Sequence, residues 1–456
     1  MFIGREKELR VLNARYCGGR KEFGVVYGRR RIGKTALLGE FAKDKSCIFF
    51  QAKRDSAYGN LRSFSYVLDK ALGLPPNYVF SSYEEAFDSL KEHAKGERLL
   101  IIIDEYPYIL EQEPSFSSTI QEMYDHSGDN LFLILSGSDV SFLKEEIENH
   151  DSPLYKRRTF EMRVEKLLFS EAAAFLEDLP VKTRCDYLSL FGPYPYYLSS
   201  IDHQLSFADN VKRLLFDQYG PFFSLPDQLL SNSTKVQDVY NAILVAISHR
   251  KRSVKEISLY IREEEAKVSK YLSTLLQSEI VERRTAFMGS QKTAYYEIGD
   301  SLLRFYFQFV FHEQERIRCN GEIVYKESEG KINDFVCHGF EDVCSLYLEE
   351  LNQKGRLGTV FPKTKNFRAD KSKLGRSIEI DGLSEANGSL LVMECKYRNC
   401  RFDRAMLEHL KESASIFSDN LKRFYCVFSR SGFDDDLEEE SDLKLLDLER
   451  MFGEDR

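Results

Sequence analysis

The sequence predicts an α/β protein whose N-terminal part is a parallel sheet flanked by helices, and three observations carry that expectation. Gly28-Arg29-Arg30-Arg31-Ile32-Gly33-Lys34-Thr35 follows an apolar run, Phe23 to Tyr27, and opens a helical pattern from Ala36 to Phe41. Leu99-Leu100-Ile101-Ile102-Ile103-Asp104-Glu105 is a short β-branched run ending in two carboxylates, as expected of a strand buried on both faces. Between and after them, strand-like Cys47–Ala52, the helical stretch Tyr83–His93 and strand-like Leu131–Ser138 alternate in the manner of a doubly wound sheet.

The glycine-rich stretch has the spacing G-x-x-x-x-G-K-[ST] between a strand and a helix, which is that of a phosphate-binding loop. Its backbone N–H groups and the helix N-terminus point at an anion. Gly28, Arg29, Arg30, Arg31, Ile32, Gly33, Lys34, Thr35 and Ala36 are therefore placed around a nucleotide, with ATP the expected ligand. Lys34 is expected to reach the β- and γ-phosphates and the Thr35 hydroxyl to hold Mg²⁺. Asp104 would hold the same ion through water, and Glu105 would polarise the attacking water.

Length and composition bound what the rest can be. A chain of 456 residues exceeds what one core usually supports, so several domains are expected. With 43% hydrophobic and 30% charged residues it reads as a soluble globular protein, and no apolar run is long enough to span a bilayer. A cytoplasmic location and no membrane partner are expected. The nine cysteines form no C-x-x-C pair and the eight histidines do not cluster beside them, so neither zinc ligation nor a disulfide framework is expected. A net charge of −9 excludes a broadly basic surface, so any nucleic-acid contact must be local.

Phe2-Ile3-Gly4-Arg5-Glu6, the Gly28–Thr35 loop, Ile101–Ile109 and Leu133–Leu143 together resemble the archaeal-type ATPase family, a branch of the STAND and AAA+-like P-loop ATPases, over roughly residues 1 to 310. The resemblance implies that Ile3, Gly4 and Arg5 lie beside the adenine. It offers Ser136 or Ser138 as a sensor of the γ-phosphate, and Arg157 and Arg158 as arginines facing the nucleotide. It further places Pro195, within Gly192-Pro193-Tyr194-Pro195, on the adenine side, although Pro193 stands where the family commonly has a second glycine.

The expected order is an ATPase core over 1–164, a helical lid over 165–232, a winged helix-turn-helix over 233–312, a linker over 313–334 and a C-terminal domain over 335–456. The winged pattern rests on three short amphipathic helices and a hairpin, Ile280–Arg284 with Ala294–Ile298. Arg250, Lys251, Arg252, Lys267, Lys270, Arg283 and Arg284 could meet phosphates, whereas Glu263-Glu264-Glu265 would repel them.

In the C-terminal part, Ser377–Gly382 and Leu390–Tyr397 read as strands joined through Ala386-Asn387-Gly388, with Glu341 on a preceding helix. Because side chains alternate along a strand, pairing these strands can bring Asp381, Glu394 and Lys396 together. Two carboxylates and a lysine at adjacent strand ends can form a magnesium site that activates water against a phosphodiester. The arrangement resembles the PD-(D/E)xK nuclease superfamily, with Ile380 in place of the proline. That resemblance implies an α/β restriction-endonuclease-like fold, catalytic Asp381, Glu394 and Lys396, and Glu341, Asp381 and Glu394 as metal ligands.

Two functions are compatible with these residues. One is an ATPase whose nucleotide state controls a magnesium-dependent nuclease-like domain acting on nucleic acid, DNA rather than RNA. The other is an ATP-dependent switch or DNA-binding regulator whose nuclease-like domain does no chemistry. Assembly into an oligomer is compatible with both.

Overall fold

A computed structural model of the chain describes residues 2–75, 77–94, 96–138, 142–143, 146, 148–229, 234–289, 294–369 and 375–453. The chain divides into two compact units, Met1–Lys166 and Leu167–Arg456.

In the first unit, helix α1 (Glu6–Cys17) precedes strand β1 (Glu22–Tyr27), helix α2 (Lys34–Ala42) and strands β2 (Cys47–Gln51), β3 (Leu99–Asp104), β4 (Leu131–Gly137) and β5 (Phe160–Arg163). The strands form one parallel sheet in the order β2-β3-β4-β1-β5. Strands β1, β3 and β4 are buried almost throughout, which explains why they read as continuous apolar runs and not as alternating ones. The order reverses beside β1, so the loop leaving β1 opens at a switch point, where ligands of such sheets bind.

The second unit begins with helices that include Val181–Phe191 and Phe207–Leu215. These expected lid helices cluster with the C-terminal unit and not with the ATPase core. Three helices follow, Thr234–Ser248, Val254–Ile261 and Glu265–Gln277, then an antiparallel pair, β6 (Val281–Arg284) and β7 (Tyr295–Ile298). Glu263-Glu264-Glu265 sits at the N-terminus of the third helix, where its partial positive charge favours carboxylates, and Glu263 pairs with Lys267 at 2.7 Å.

The expected linker over 313–334 is not a linker. A helical run, Gln314–Gln353, passes through it with one break at Asn320. Over 313–334 it buries only Ile317, Val324, Tyr325 and Ile332 among charged, solvent-facing residues, a stripe too thin to have marked a helix in the sequence. The run ends before a five-stranded sheet, β8 (Lys365–Ala369), β9 (Ile378–Ala386), β10 (Ser389–Lys396), β11 (Lys422–Ser429) and β12 (Leu443–Asp447), in the order β12-β11-β10-β9-β8. Strands β8, β9 and β10 pair antiparallel, and β10, β11 and β12 pair parallel, with the helix Arg404–Ala414 between β10 and β11. Asn387 and Gly388 both have positive φ, at 49° and 71°, the conformation that a two-residue hairpin between β9 and β10 requires.

The long helix packs against Val181–Phe191 at Gly339, where an added Cβ would lie 2.5 Å from the Ser189 carbonyl oxygen. Gly330, on the same helix, has open space around it. Gly339→Ala is expected to destabilise the protein by about 1–3 kcal/mol through overpacking. Gly330→Ala should stabilise it by about 0.5–1 kcal/mol through helix propensity. Chemical denaturation of both variants checks the pair; equal effects would mean that the close approach at Gly339 is absent.

Candidate functional site

The first site is built where β1 gives way to α2. Gly28 has no room for a side chain, since a Cβ there would come within 2.5 Å of the Val164 carbonyl oxygen, and Gly33 caps α2 with a φ of 96°. Lys34 is only 5% exposed, and its ammonium donates to the carbonyls of Gly28 at 2.8 Å and Arg29 at 3.1 Å. The lysine thus bridges the loop in which a phosphate would be cradled.

Asp104, at the end of β3, is fully buried. Burying a carboxylate is costly unless donors replace water, and four do so here. The Thr35 hydroxyl donates to its Oδ2 at 2.6 Å, the Gln51 amide to the same oxygen at 3.3 Å, the Glu105 N–H to Oδ1 at 3.1 Å, and the Ser136 hydroxyl also to Oδ1. Thr35 and Asp104, 69 positions apart in sequence, meet as expected. A hydroxyl and a carboxylate are hard oxygen donors of the kind Mg²⁺ takes. Gln51 was not foreseen; its only signal was its place at the end of the strand beside β3.

Glu105 follows with a φ of 53°. Consecutive residues of a strand point to opposite faces, and this left-handed turn departs from that alternation directly after Asp104. Glu105 Oε2 accepts from the Ser138 N–H at 3.3 Å and the Ser138 hydroxyl at 3.0 Å. Of the two sensor candidates, Ser136 is fully buried on Asp104, and Ser138 holds Glu105.

Arg5 is buried, and its guanidinium donates to the carbonyl of Ile32 at 3.1 Å and of Glu165 at 2.6 Å while pairing with Glu8 at 3.1 Å. It therefore ties the phosphate-loop backbone to the chain leaving β5, with Ile3 and the left-handed Gly4 leading into it. Arg157 and Arg158 are engaged locally: Arg157 donates to both carboxylate oxygens of Asp125, at 3.0 and 2.9 Å, and Arg158 pairs with Glu161 at 3.2 Å. Pro195 opens a short helix, Pro195–Leu198, in the second unit.

The second site lies at the end of β10, which carries Glu394 and Lys396, beside Asp381, which stands within β9 and not at its end as expected. Asp381 accepts from the Cys395 N–H at 2.7 Å, and the Lys396 ammonium donates to Glu394. Loss of hydration raises the carboxyls of both Asp381 and Glu394, and the Asp381 charge raises Glu394 further. Glu341 is open to solvent on one side, yet partial loss of hydration, followed by the charges of Asp381, Asp342, Glu379 and Glu394, pushes it up to about 8. Lys396 feels the opposite balance. Loss of hydration would lower it, but the attraction of Glu394 and Asp381 leaves it raised. The four expected residues thus share one electrostatic neighbourhood.

The three-carboxylate magnesium site expected of Glu341, Asp381 and Glu394 is not assembled as a ligand set. Among the described residues no group of three or more His, Cys, Asp or Glu side chains could hold a metal ion. Lys396 occupies Glu394, the Cys395 N–H occupies Asp381, and like charge disfavours a closer approach of Glu341.

Residues 2–187 match the model of an ATPase domain found predominantly in Archaea. The N-terminal part of the chain is therefore similar to an archaeal-type ATPase domain. That match supports ATP binding and hydrolysis by this part of the chain. Residues 306–409, which include Glu341, Asp381, Glu394 and Lys396, match a family of archaeal and bacterial proteins of unknown function. The chain is 26% identical over 461 aligned positions to an uncharacterised protein of Methanocaldococcus jannaschii, covering 98% of this chain and 99% of that one. An uncharacterised ATP-binding protein of the same organism is 38% identical over 45 residues, 10% of this chain and 76% of that protein. Among solved structures, the Aeropyrum pernix ORC2 protein overlaps 68% of this chain and 93% of its own, at 13% identity and a TM-score of 0.36. A STAND protein with a tetratricopeptide repeat sensor from Pyrococcus horikoshii overlaps 78% and 50%, at 13% identity and a TM-score of 0.30. No helix among the described residues is long and apolar enough to cross a membrane.

Arg5→Ala is expected to free the Ile32 carbonyl and loosen the phosphate loop. Removing charged, buried hydrogen bonds of this kind costs about 1.5–3 kcal/mol. Thermal melting and titration with a fluorescent ATP analogue should show a less stable protein that binds nucleotide roughly tenfold or more weakly, the equivalent of about 1.4 kcal/mol. Unchanged affinity would make Arg5 a structural residue only.

Proposed function

We propose that this protein uses ATP binding and hydrolysis in its N-terminal domain to control a nuclease-like, nucleic-acid-acting C-terminal domain. The observation that carries the ATPase mechanism is the Thr35–Asp104 contact, which joins the phosphate loop to the strand bearing Glu105. On nucleotide binding, Lys34 would leave the carbonyls of Gly28 and Arg29 and turn its ammonium to the β- and γ-phosphates. Thr35 and Asp104 would hold Mg²⁺, whose chemistry is to neutralise charge developing on the phosphoryl oxygens. Glu105, held by Ser138, would orient a water in line with the γ-phosphate. Ile3, Gly4 and Arg5 are assigned to the adenine side.

The C-terminal assignment is supported by a helix, three antiparallel strands, a second helix and a parallel strand in succession, with Asp381 within β9 and Glu394 and Lys396 at the end of β10. Asp381 and Glu394 would supply oxygen ligands, and Lys396 would position a phosphate or a water. The three helices and the β6–β7 hairpin are assigned as a winged helix. Exposed Lys267 and Lys270 on its third helix are the residues offered to DNA.

One observation favours a non-catalytic C-terminal domain, in which nucleotide state switches binding alone. The Lys396 ammonium is spent on Glu394, and among the described residues no three-ligand metal group stands ready.

Lys34→Ala should abolish nucleotide binding. Glu105→Gln should keep binding and lower turnover by about 10²–10⁴-fold, the usual worth of a positioned general base. Steady-state phosphate release with parallel binding titrations separates the two; full turnover in Glu105→Gln would remove it from catalysis. For the second domain, wild type, Asp381→Ala and Lys396→Ala are compared on DNA and RNA with Mg²⁺ or Mn²⁺, with and without ATP. Cleavage lost in both variants supports the nuclease. No cleavage by wild type under any condition leaves the switch.

A further inference from the structure

Glu105 is not held by Ser138 alone. Arg30 donates from Nε to the Ser138 hydroxyl at 3.3 Å and from Nη2 to the Tyr108 hydroxyl at 2.7 Å. The Ser138 hydroxyl donates to Glu105 at 3.0 Å, so Arg30, Ser138 and Glu105 form one directed chain, and the Tyr108 hydroxyl accepts from the same guanidinium and holds it in place. Each group in it has a compatible role: the guanidinium only donates, the serine hydroxyl accepts from it and donates onward, and the carboxylate only accepts.

The backbone makes this chain possible. Ser136 and Ser138, two residues apart at the end of β4, take the two consecutive carboxylates Asp104 and Glu105, one each. Consecutive residues could not both reach that edge from a regular strand; the φ of 53° at Glu105 supplies the turn. The turn is itself pinned, because the Tyr106 N–H donates to the Ser136 carbonyl at 2.9 Å and the Tyr108 N–H to the Glu105 carbonyl at 3.0 Å. Gly137 lies between the serines, where a Cβ would meet the Pro107 ring at 2.8 Å, so the strand end and the turn approach as closely as their atoms allow.

We propose that Arg30, Ser138 and Tyr108 are positioning residues for ATP hydrolysis, which fix the carboxylate of Glu105 in the orientation that activates water. Arg30 belongs to the phosphate loop, so the same loop that receives the γ-phosphate also orients the base. The arginine here is assigned through its side chain; the spacing of the loop required only its backbone N–H. The inference rests on Glu105 being that base.

A double-mutant cycle in the full-length protein tests it, with turnover, the KM for ATP and nucleotide affinity measured for each member. Ser138→Ala should lower kcat about tenfold or more with nucleotide affinity within about twofold, because a positioning residue acts on the transition state and not on ground-state binding, and Arg30→Gln, in the phosphate loop itself, should lower kcat to a similar extent at saturating ATP. Ser138→Thr, which keeps the hydroxyl, should restore most of the turnover. Tyr108→Phe should fall between wild type and Arg30→Gln. In a Glu105→Gln background, followed by single-turnover hydrolysis of labelled ATP, Ser138→Ala should have no further effect. Equal losses from Ser138→Ala in both backgrounds would overturn the proposal, since the serine would then act independently of Glu105. A kcat loss that Ser138→Thr fails to restore would also overturn it. Wild-type turnover in Glu105→Gln itself would instead remove the base assignment on which the proposal stands.

Discussion

The N-terminal unit depends on one buried carboxylate. Asp104 has lost all contact with water, and an ionised group in that position is tolerable only if its oxygens are satisfied by well-placed donors. Those donors come from four places: α2 through Thr35, β2 through Gln51, β4 through Ser136, and the turn after β3 through the Glu105 N–H. Each holds the carboxylate, and the carboxylate in turn holds each of them. The helix bearing Lys34, the strand bearing the serines and the turn bearing Glu105 are registered against one another at a single point.

The C-terminal cluster is built on the opposite balance. Asp104 accepts from neutral donors, whereas Asp381 and Glu394 sit among further acidic charge, with the Cys395 N–H on Asp381 and the Lys396 ammonium on Glu394. Loss of hydration raises the carboxyls of Glu341, Asp381 and Glu394, the Asp381 charge raises Glu341 and Glu394 further, and Glu379 raises Asp381, so their ionised forms are penalised until positive charge arrives. A site of this kind is poised for a cation or for a proton. The first site is satisfied as it stands, and Lys34, lying on the carbonyls of its own loop, is the group that must move for a triphosphate to enter.

Much of this was legible in the residues. Continuous β-branched runs marked β1, β3 and β4 because a parallel strand covered on both faces needs no polar alternation. Asn387-Gly388 marked the β9–β10 hairpin because few other pairs accept two positive φ angles in succession. The three helices after residue 233 showed their apolar stripes. The turns over 313–334 showed only a thin one, Ile317, Val324, Tyr325 and Ile332, because a helix solvated on most sides buries few positions, and the break at Asn320 interrupts what periodicity there is. Helices beyond residue 167 read as part of the ATPase by motif, but packing assigns them to the second unit. Contacts at large sequence separation decide that grouping, and no local pattern encodes them.

By itself the sequence determined which residue types stand on or beside which strands: a lysine and a threonine after the glycine turn, two acids after β3, and two acids and a lysine across β9 and β10. Spacing suffices for that, since strand and helix periods convert position in the chain into position on an element. The partners of those residues were decided only by the tertiary structure. Arg5 turns inward onto Ile32, Gln51 reaches Asp104, and Arg30 bends to Ser138 and Tyr108, because hydrogen bonds form where strand order and a left-handed turn place donor and acceptor about 3 Å apart. Sheet order and turn handedness are products of packing, and no single stretch of chain carries them.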